Sequence, residues 1–385
     1  MKKILFIQHG LGYGGATKSL LLLQKQLFKE YKLYTISQPV SKKTKSIIKD
    51  FEKYSEFAEL DFPSIYSYSA DTISEDLFRE AKLFYPKEII EFINNHYIDI
   101  VHINSTLFSH LLKPIKEHTK AKIIVHLREM VPNQDSEISQ FIVNNHTKFS
   151  DSIIAISDNE IQFYPKSQKI TVIPNPHEFD ITDKLEEREI NNEIIIGMCA
   201  NFLEFKGHLD FLEMASIVEK KCKMKNVKFK IIGYPKNSFK EIIKKVIKRG
   251  YKQKFDQKVR KLKIKNLEII NYTFDIYGEI FSWDIYIRPD YTGHPWGRDI
   301  IEAMAMKKPI VATGLSEFFI ENGKTGFLVP PKNPQVMAEK VIELIKNEEM
   351  RKEFGERGYK KIKEKCDIDG YGKRIAEIYE ELISE

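Results

Sequence analysis

Apolar residues in this chain fall in short, nearly continuous runs. Ile4-Leu5-Phe6-Ile7, Tyr34-Thr35-Ile36, Ile98 to Ile103, Lys122 to His126 and Ser152 to Ile156 are rich in β-branched side chains. Such runs predict strands buried on both faces, as in a parallel sheet. Helical stretches such as Pro86 to His96 separate them. After the first run, Gly10 to Gly15 holds four glycines before the helix-like Ser19-Leu20-Leu21-Leu22-Leu23. Strand, glycine-rich turn and helix open a parallel α/β domain. A second alternation starts near Ile194-Ile195-Ile196-Gly197, with strands at Lys228 to Ile232, Leu267 to Ile270, Asp284 to Ile287 and Pro309 to Ala312. Its helices are expected at Lys206 to Glu219, Asp299 to Met306 and from Pro334 onward. Pro174-Asn175-Pro176 and the charged Lys184 to Glu189 mark the boundary. The expected organisation is α/β throughout: a doubly wound, Rossmann-like domain over 1–177, a linker over 178–192, a second such domain over 193–365, and a helix over 366–385 packing back on the first.

Composition narrows the class. With 385 residues, 42% hydrophobic and 30% charged, the chain can bury sizeable cores, and its length predicts two or three domains. Three widely spaced cysteines make no disulfide framework and match no zinc spacing, so a reducing compartment and no structural metal are expected. No apolar run reaches the roughly 18 residues of a membrane span. Met1-Lys2-Lys3 leads into an apolar stretch too short for a secretory signal. A cytoplasmic protein, at most peripheral on the inner face of a membrane, is the expectation.

The net charge of +6 is uneven. Residues 235–266 carry thirteen Lys and Arg against Glu241 and Asp256, a surplus of +11, so the remainder is mildly acidic. That segment reads as a solvated helical insertion, as a contact for an anionic membrane surface, or as a site for a phosphate-bearing substrate. Ile242, Ile243, Val246, Ile247, Phe255 and Val259 give it an apolar stripe that suits core packing and membrane adsorption equally. Nucleic acid is the poorest reading, because aromatics occur there only at Phe239, Tyr251 and Phe255 and no recognised module is present.

The loop Gly10-Leu11-Gly12-Tyr13-Gly14-Gly15 lacks the spacing of a dinucleotide fingerprint and the ending of a P-loop. It leads into a helix N-terminus, where N–H groups can face an anion. The most specific stretch is His294-Pro295-Trp296-Gly297-Arg298-Asp299-Ile300-Ile301-Glu302-Ala303-Met304-Ala305-Met306-Lys307-Lys308-Pro309-Ile310-Val311-Ala312-Thr313, followed by Asn322 to Val329. It resembles the signature E-x-F-G-x-x-x-x-E-A-M-A-x-G-x-P-V-x-A-T of the retaining glycosyltransferases of family 4. Gly14-Gly15-Ala16, Val101-His102-Ile103, Val172-Ile173-Pro174-Asn175 and Lys206-Gly207 look like further motifs of that family, so the resemblance runs over nearly the whole chain.

The resemblance implies a GT-B fold, two Rossmann-like domains facing across a cleft, and transfer of a sugar from a nucleotide-diphosphate donor to a glycan or lipid-linked acceptor, as in bacterial surface polysaccharide or glycolipid assembly. It implies that Glu302 accepts hydrogen bonds from the donor's ribose, that Lys206 neutralises the leaving diphosphate, and that Gly297, Arg298, Asp299 and Ile300 offer backbone donors to the same phosphates. Gly14, Gly15, Asn201, Tyr272 and Thr273 complete the expected donor site. His126 stands where the family places a histidine facing the reacting sugar, so His126, Lys206 and His294 are the candidate catalytic residues. No cofactor or metal is expected.

Three departures stand out. His294 replaces the first Glu of the family's E-x7-E pair, and a neutral imidazole there would become a second donor as pH falls through about 6.5. Asn201 replaces the Arg five residues before the lysine, leaving Arg288 or Arg298 to supply the second cation. Thr313 to Glu317 is shorter than the family's loop. These departures leave open a non-catalytic GT-B subunit that binds a glycan or a partner transferase.

Overall fold

The computed structural model describes the chain except residues 11–13, 41–44, 68–71, 132–135, 168, 186–192, 223–225, 236–245, 274, 295–296 and 385. It divides into two compact units: Met1–Pro176 with Ile368–Glu385, and His177–Asp367.

In the first unit the order is β1 (Lys3–Gln8), α1 (Gly15–Leu27), β2 (Lys32–Ser37), α2 (Ser46–Phe51), β3 (Glu56–Glu59), β4 (Tyr66–Ser67), β5 (Thr72–Ile73), α3 (Glu75–Leu83) and α4 (Lys87–His96). β6 (Ile100–Ile103), α5 (Leu112–His118), β7 (Lys122–Leu127), α6 (Glu137–Phe149), β8 (Ser152–Ala155) and β9 (Ile170–Val172) follow. Seven strands form a sheet in the order β3-β2-β1-β6-β7-β8-β9, every pair parallel, with β4 and β5 a separate antiparallel pair. Ile4 to Ile7 are wholly buried, which is why their run shows no polar alternation.

The second unit holds α7 (Phe179–Thr182), β10 (Ile194–Cys199), α8 (His208–Lys221), β11 (Val227–Tyr234), α9 (Val246–Leu262), β12 (Leu267–Asn271), α10 (Ile276–Phe281) and β13 (Ile285–Arg288). Then come α11 (Arg298–Ala305), β14 (Ile310–Thr313), β15 (Gly326–Val329), α12 (Pro334–Lys346) and α13 (Glu348–Lys365). Its six-stranded sheet, β12-β11-β10-β13-β14-β15, is parallel throughout. Both sheets are Rossmann-like and doubly wound.

The last helix, α14 (Ile368–Ser384), returns to the first unit. Tyr371, Ile375, Tyr379 and Leu382 lie on one face at helical spacing and join the apolar cluster of Ile4, Phe6, Leu20, Ile100 and Ile124. Gly372 allows close approach to α1, since a Cβ there would stand 2.8 Å from Gln26 Cβ.

One expectation changes. Part of the stretch read as linker is helical: Phe179–Thr182 forms α7, and the backbone N–H of His177 donates to the Cys366 carbonyl at 2.8 Å, so the second unit begins at His177. Residues 186–192 of that stretch lie outside the described residues. Of the apolar stripe in the basic segment, Phe255 and Val259 on α9 join the second core together with Leu262. Side chains of 236–249 lie outside the described residues.

Candidate functional site

Parallel α/β sheets bind ligands at the carboxyl ends of their strands. In the second unit β13 ends on Arg288, followed by Pro289 and the buried Asp290. One Asp290 oxygen accepts from Lys206 Nζ at 2.9 Å and lies 3.5 Å from Arg288 Nη2. The other accepts from the backbone N–H of Thr292 at 3.0 Å and from its hydroxyl at 2.5 Å. Lys206 reaches this position because the chain turns on Gly207, whose φ of +75° and close approach to Pro289 leave no room for a side chain: a Cβ would sit 1.8 Å from the Pro289 carbonyl oxygen. The Lys-Gly pair is therefore one steric unit.

Arg288 ties this corner to α11. Its Nη1 donates to both Asp299 carboxylate oxygens at 2.7 and 2.8 Å, and its Nε donates to the His294 carbonyl at 3.0 Å. Gly297 caps α11 directly over that pair, since a Cβ there would lie 2.6 Å from Asp299 Oδ1 and 3.1 Å from Arg288 Nη1. One turn on, Glu302 accepts from Arg298 Nε at 3.2 Å and from the Tyr277 hydroxyl at 3.4 Å. Burial alone would push the Asp290 carboxyl up, but Lys206 and Arg288 overcome it and hold it below the usual carboxylate range. Burial and the neighbouring Arg288 lower the Lys206 ammonium.

The sequence-predicted residues are placed as follows. Lys206, His294, Gly297, Arg298, Asp299 and Glu302 gather at this corner. Tyr272 and Thr273 follow β12; Tyr272 is exposed, and partial desolvation of its phenol, then Cys199 and Glu302, raises its pKa. Asn201 is exposed after β10, and its carbonyl accepts from the Leu203 N–H. Arg298 is occupied by Glu302, so Arg288 is the cation that shares a carboxylate with Lys206.

The Ile300 N–H donates to the Gly297 carbonyl at 3.1 Å and its side chain is core. Burial, then Arg288, pulls the His294 pKa down to about 3, so the protonation expected near pH 6.5 does not occur there. Pro295 and Trp296 lie outside the described residues. Asp290 was missed; its signal was an acid three residues beyond a predicted parallel strand.

Gly14, Gly15 and His126 belong to the first unit. Gly14 and Gly15 are exposed at the start of α1, where Gly14 is extended and no side chain caps the helix. His126, near the end of β7, is wholly buried. Its Nδ1 lies 3.1 Å from His102 Nε2, and His102 Nδ1 lies 2.6 Å from the Tyr379 hydroxyl on α14. Beside them Arg128 donates to Asn104 Oδ1 at 2.8 Å, Asn175 Oδ1 at 2.5 Å and the Tyr371 hydroxyl at 3.1 Å. Burial, then the Arg128 charge, lowers both imidazoles: His102 to about 3, and His126 well below its ordinary value.

Residues 180–361 match the glycosyl transferases group 1 family. Among curated relatives, an uncharacterized glycosyltransferase of Methanocaldococcus jannaschii, MJ1178, is 40% identical over 90 residues, 23% of this chain and 25% of that one. The capsular polysaccharide biosynthesis glycosyltransferase CapM of Staphylococcus aureus is 24% identical over 57% of each chain. The chain thus spans between a quarter and somewhat over half the length of these relatives. Among solved structures, Anabaena Alr3699/HepE in complex with UDP superposes with a TM-score of 0.76 at 17% identity, covering 99% of this chain and 100% of that one. The two parallel-sheet units give this chain the GT-B fold, and residues 180–361 resemble the glycosyl transferases group 1 family.

Proposed function

We propose that this chain is a retaining, metal-independent glycosyltransferase of family 4 that moves a sugar from a nucleotide-diphosphate donor to a glycan or lipid-linked acceptor in surface polysaccharide or glycolipid assembly. The observation that carries it is the corner where Lys206 and Arg288 share the buried Asp290 beside Glu302. A departing nucleoside diphosphate accumulates negative charge, and two cations preorganised by one carboxylate stabilise it without reorganising during the reaction. As the donor binds, before the reaction, Lys206 turns from Asp290 to the phosphates, while Arg288 keeps the α11 N-terminus in place. Glu302 accepts from the ribose hydroxyls, and the acceptor attacks on the face the diphosphate leaves, which takes the acceptor's proton. Support for the substrate class comes from CapM, a capsular polysaccharide biosynthesis glycosyltransferase, and from HepE, crystallised with UDP.

Calorimetry against a panel of nucleotide-sugars, beginning with UDP-sugars, tests this reading. Glu302→Ala should weaken donor binding by about 1.5 to 3 kcal/mol, the loss of hydrogen bonds to a charged group, with the fold intact. Donor affinity unchanged in Glu302→Ala, or no donor bound by the wild type, refutes it. The reading includes a peripheral place on an anionic membrane through residues 235–266. Lys252, Lys254 and Lys258 pair with Asp256, Glu204 and Glu213, while Arg260, Lys261, Lys263 and Lys265 stand exposed. Contact there is therefore electrostatic, and high salt should release it.

A further inference from the structure

The buried chain Tyr379, His102, His126 carries one decision about protons. Both rings are buried beside Arg128, and neutral imidazole has one N–H and one bare nitrogen. Tyr379 is itself wholly buried, and among the described residues its hydroxyl meets no acceptor other than His102 Nδ1. If His102 Nδ1 carried the proton, the phenol hydrogen would be stranded in the core, a cost the alternative avoids. The phenol therefore donates to His102 Nδ1. His102 must then carry its proton on Nε2 and donate it to His126 Nδ1. His126 is left with its proton on Nε2, a buried atom with no hydrogen-bond partner among the described residues.

We infer that Tyr379, on the C-terminal helix, sets the tautomer of His126 through His102, so that His126 presents an Nε2–H donor rather than a bare nitrogen. Tyr379 and His102 are positioning residues, and the group His126 receives is an oxygen acceptor: a sugar hydroxyl or a phosphate oxygen. In this arrangement His126 binds and orients, and it is not a proton-accepting base. The use of that donor on a substrate rests on the transferase reading; the tautomer does not.

The test is a long-range 1H–15N spectrum of the full chain at neutral pH with selectively labelled histidine, which distinguishes protonated from bare ring nitrogens. Variants His126→Gln and His102→Gln assign the two rings among the ten histidines. In the wild type both rings should show protonated Nε2 and bare Nδ1. Tyr379→Phe, which removes only the hydroxyl, should convert both to a mixture of tautomers while the other eight keep their signals. Wild-type His126 with its proton on Nδ1 overturns the inference, and this needs no variant to fold. Tautomers unchanged in Tyr379→Phe remove Tyr379 from the relay. If the spectra agree but the wild type neither transfers nor hydrolyses any nucleotide-sugar, only the transferase reading fails.

Discussion

The strand ends of the two sheets solve burial of polar groups in opposite ways. In the second unit, Lys206, Arg288 and Arg298 stand against Asp290, Asp299 and Glu302, a corner of ion pairs balanced in charge. In the first, His102 and His126 are kept neutral and joined to a phenol, and the one buried guanidinium, Arg128, is held by two amides and a second phenol. Fixed charges suit the stabilisation of a leaving group whose charge grows. Neutral donors suit the orientation of hydroxyls whose charge does not. The same topology thus offers two chemistries, chosen by the side chains at the strand tips.

Acid should break this comparison most strongly. His9, His102, His110, His126 and His146 in the first unit are buried with lowered pKa values, against His208 and His294 in the second. Unfolded histidine takes a proton near pH 6.5 while these folded ones do not, so their stability contribution is complete above that value and falls as pH drops toward the folded pKa. At pH 5 each loses on the order of 2 kcal/mol, so the first unit should weaken more than the second. Hydrogen exchange of the full chain near pH 5 should show protection lost in residues 1–176 before 177–367; simultaneous loss would count against the neutral-histidine account.

Lys206→Ala comes next. Removing one donor to a developing oxyanion costs on the order of 10² to 10³ in turnover, so kcat should fall by that factor while donor affinity by calorimetry changes much less. Equal losses in both would make Lys206 a ground-state binder. The smallest effect concerns His294. Because it stays neutral, the pH profile of donor-sugar binding should show no His294 inflection between roughly pH 5 and 7.5. An inflection near 6.5 that His294→Ala abolishes would show an exposed, titrating ring instead.

Legibility in the sequence differed between the two corners. The parallel architecture followed from apolar runs too continuous for a half-exposed sheet, and Glu302, Lys206 and Gly207 followed from motifs contiguous in the chain. Asp290 escaped because no spacing relation connects residue 290 to residue 206; the turn at Gly207 packed on Pro289 makes them neighbours. Arg288 was one of two candidates for the second cation, and only the ion pair of Arg298 with Glu302 separated them.

By itself the sequence determined what depends on local pattern: strands from apolar runs and helices from their periodicity. Tertiary structure decided whatever depends on distance between remote residues and on exclusion of water. Burial, not composition, keeps His294 and His126 neutral. The proton register of His126 depends on a phenol 253 positions away, at Tyr379, because desolvation makes a stranded hydroxyl hydrogen costly only once α14 has closed over the sheet.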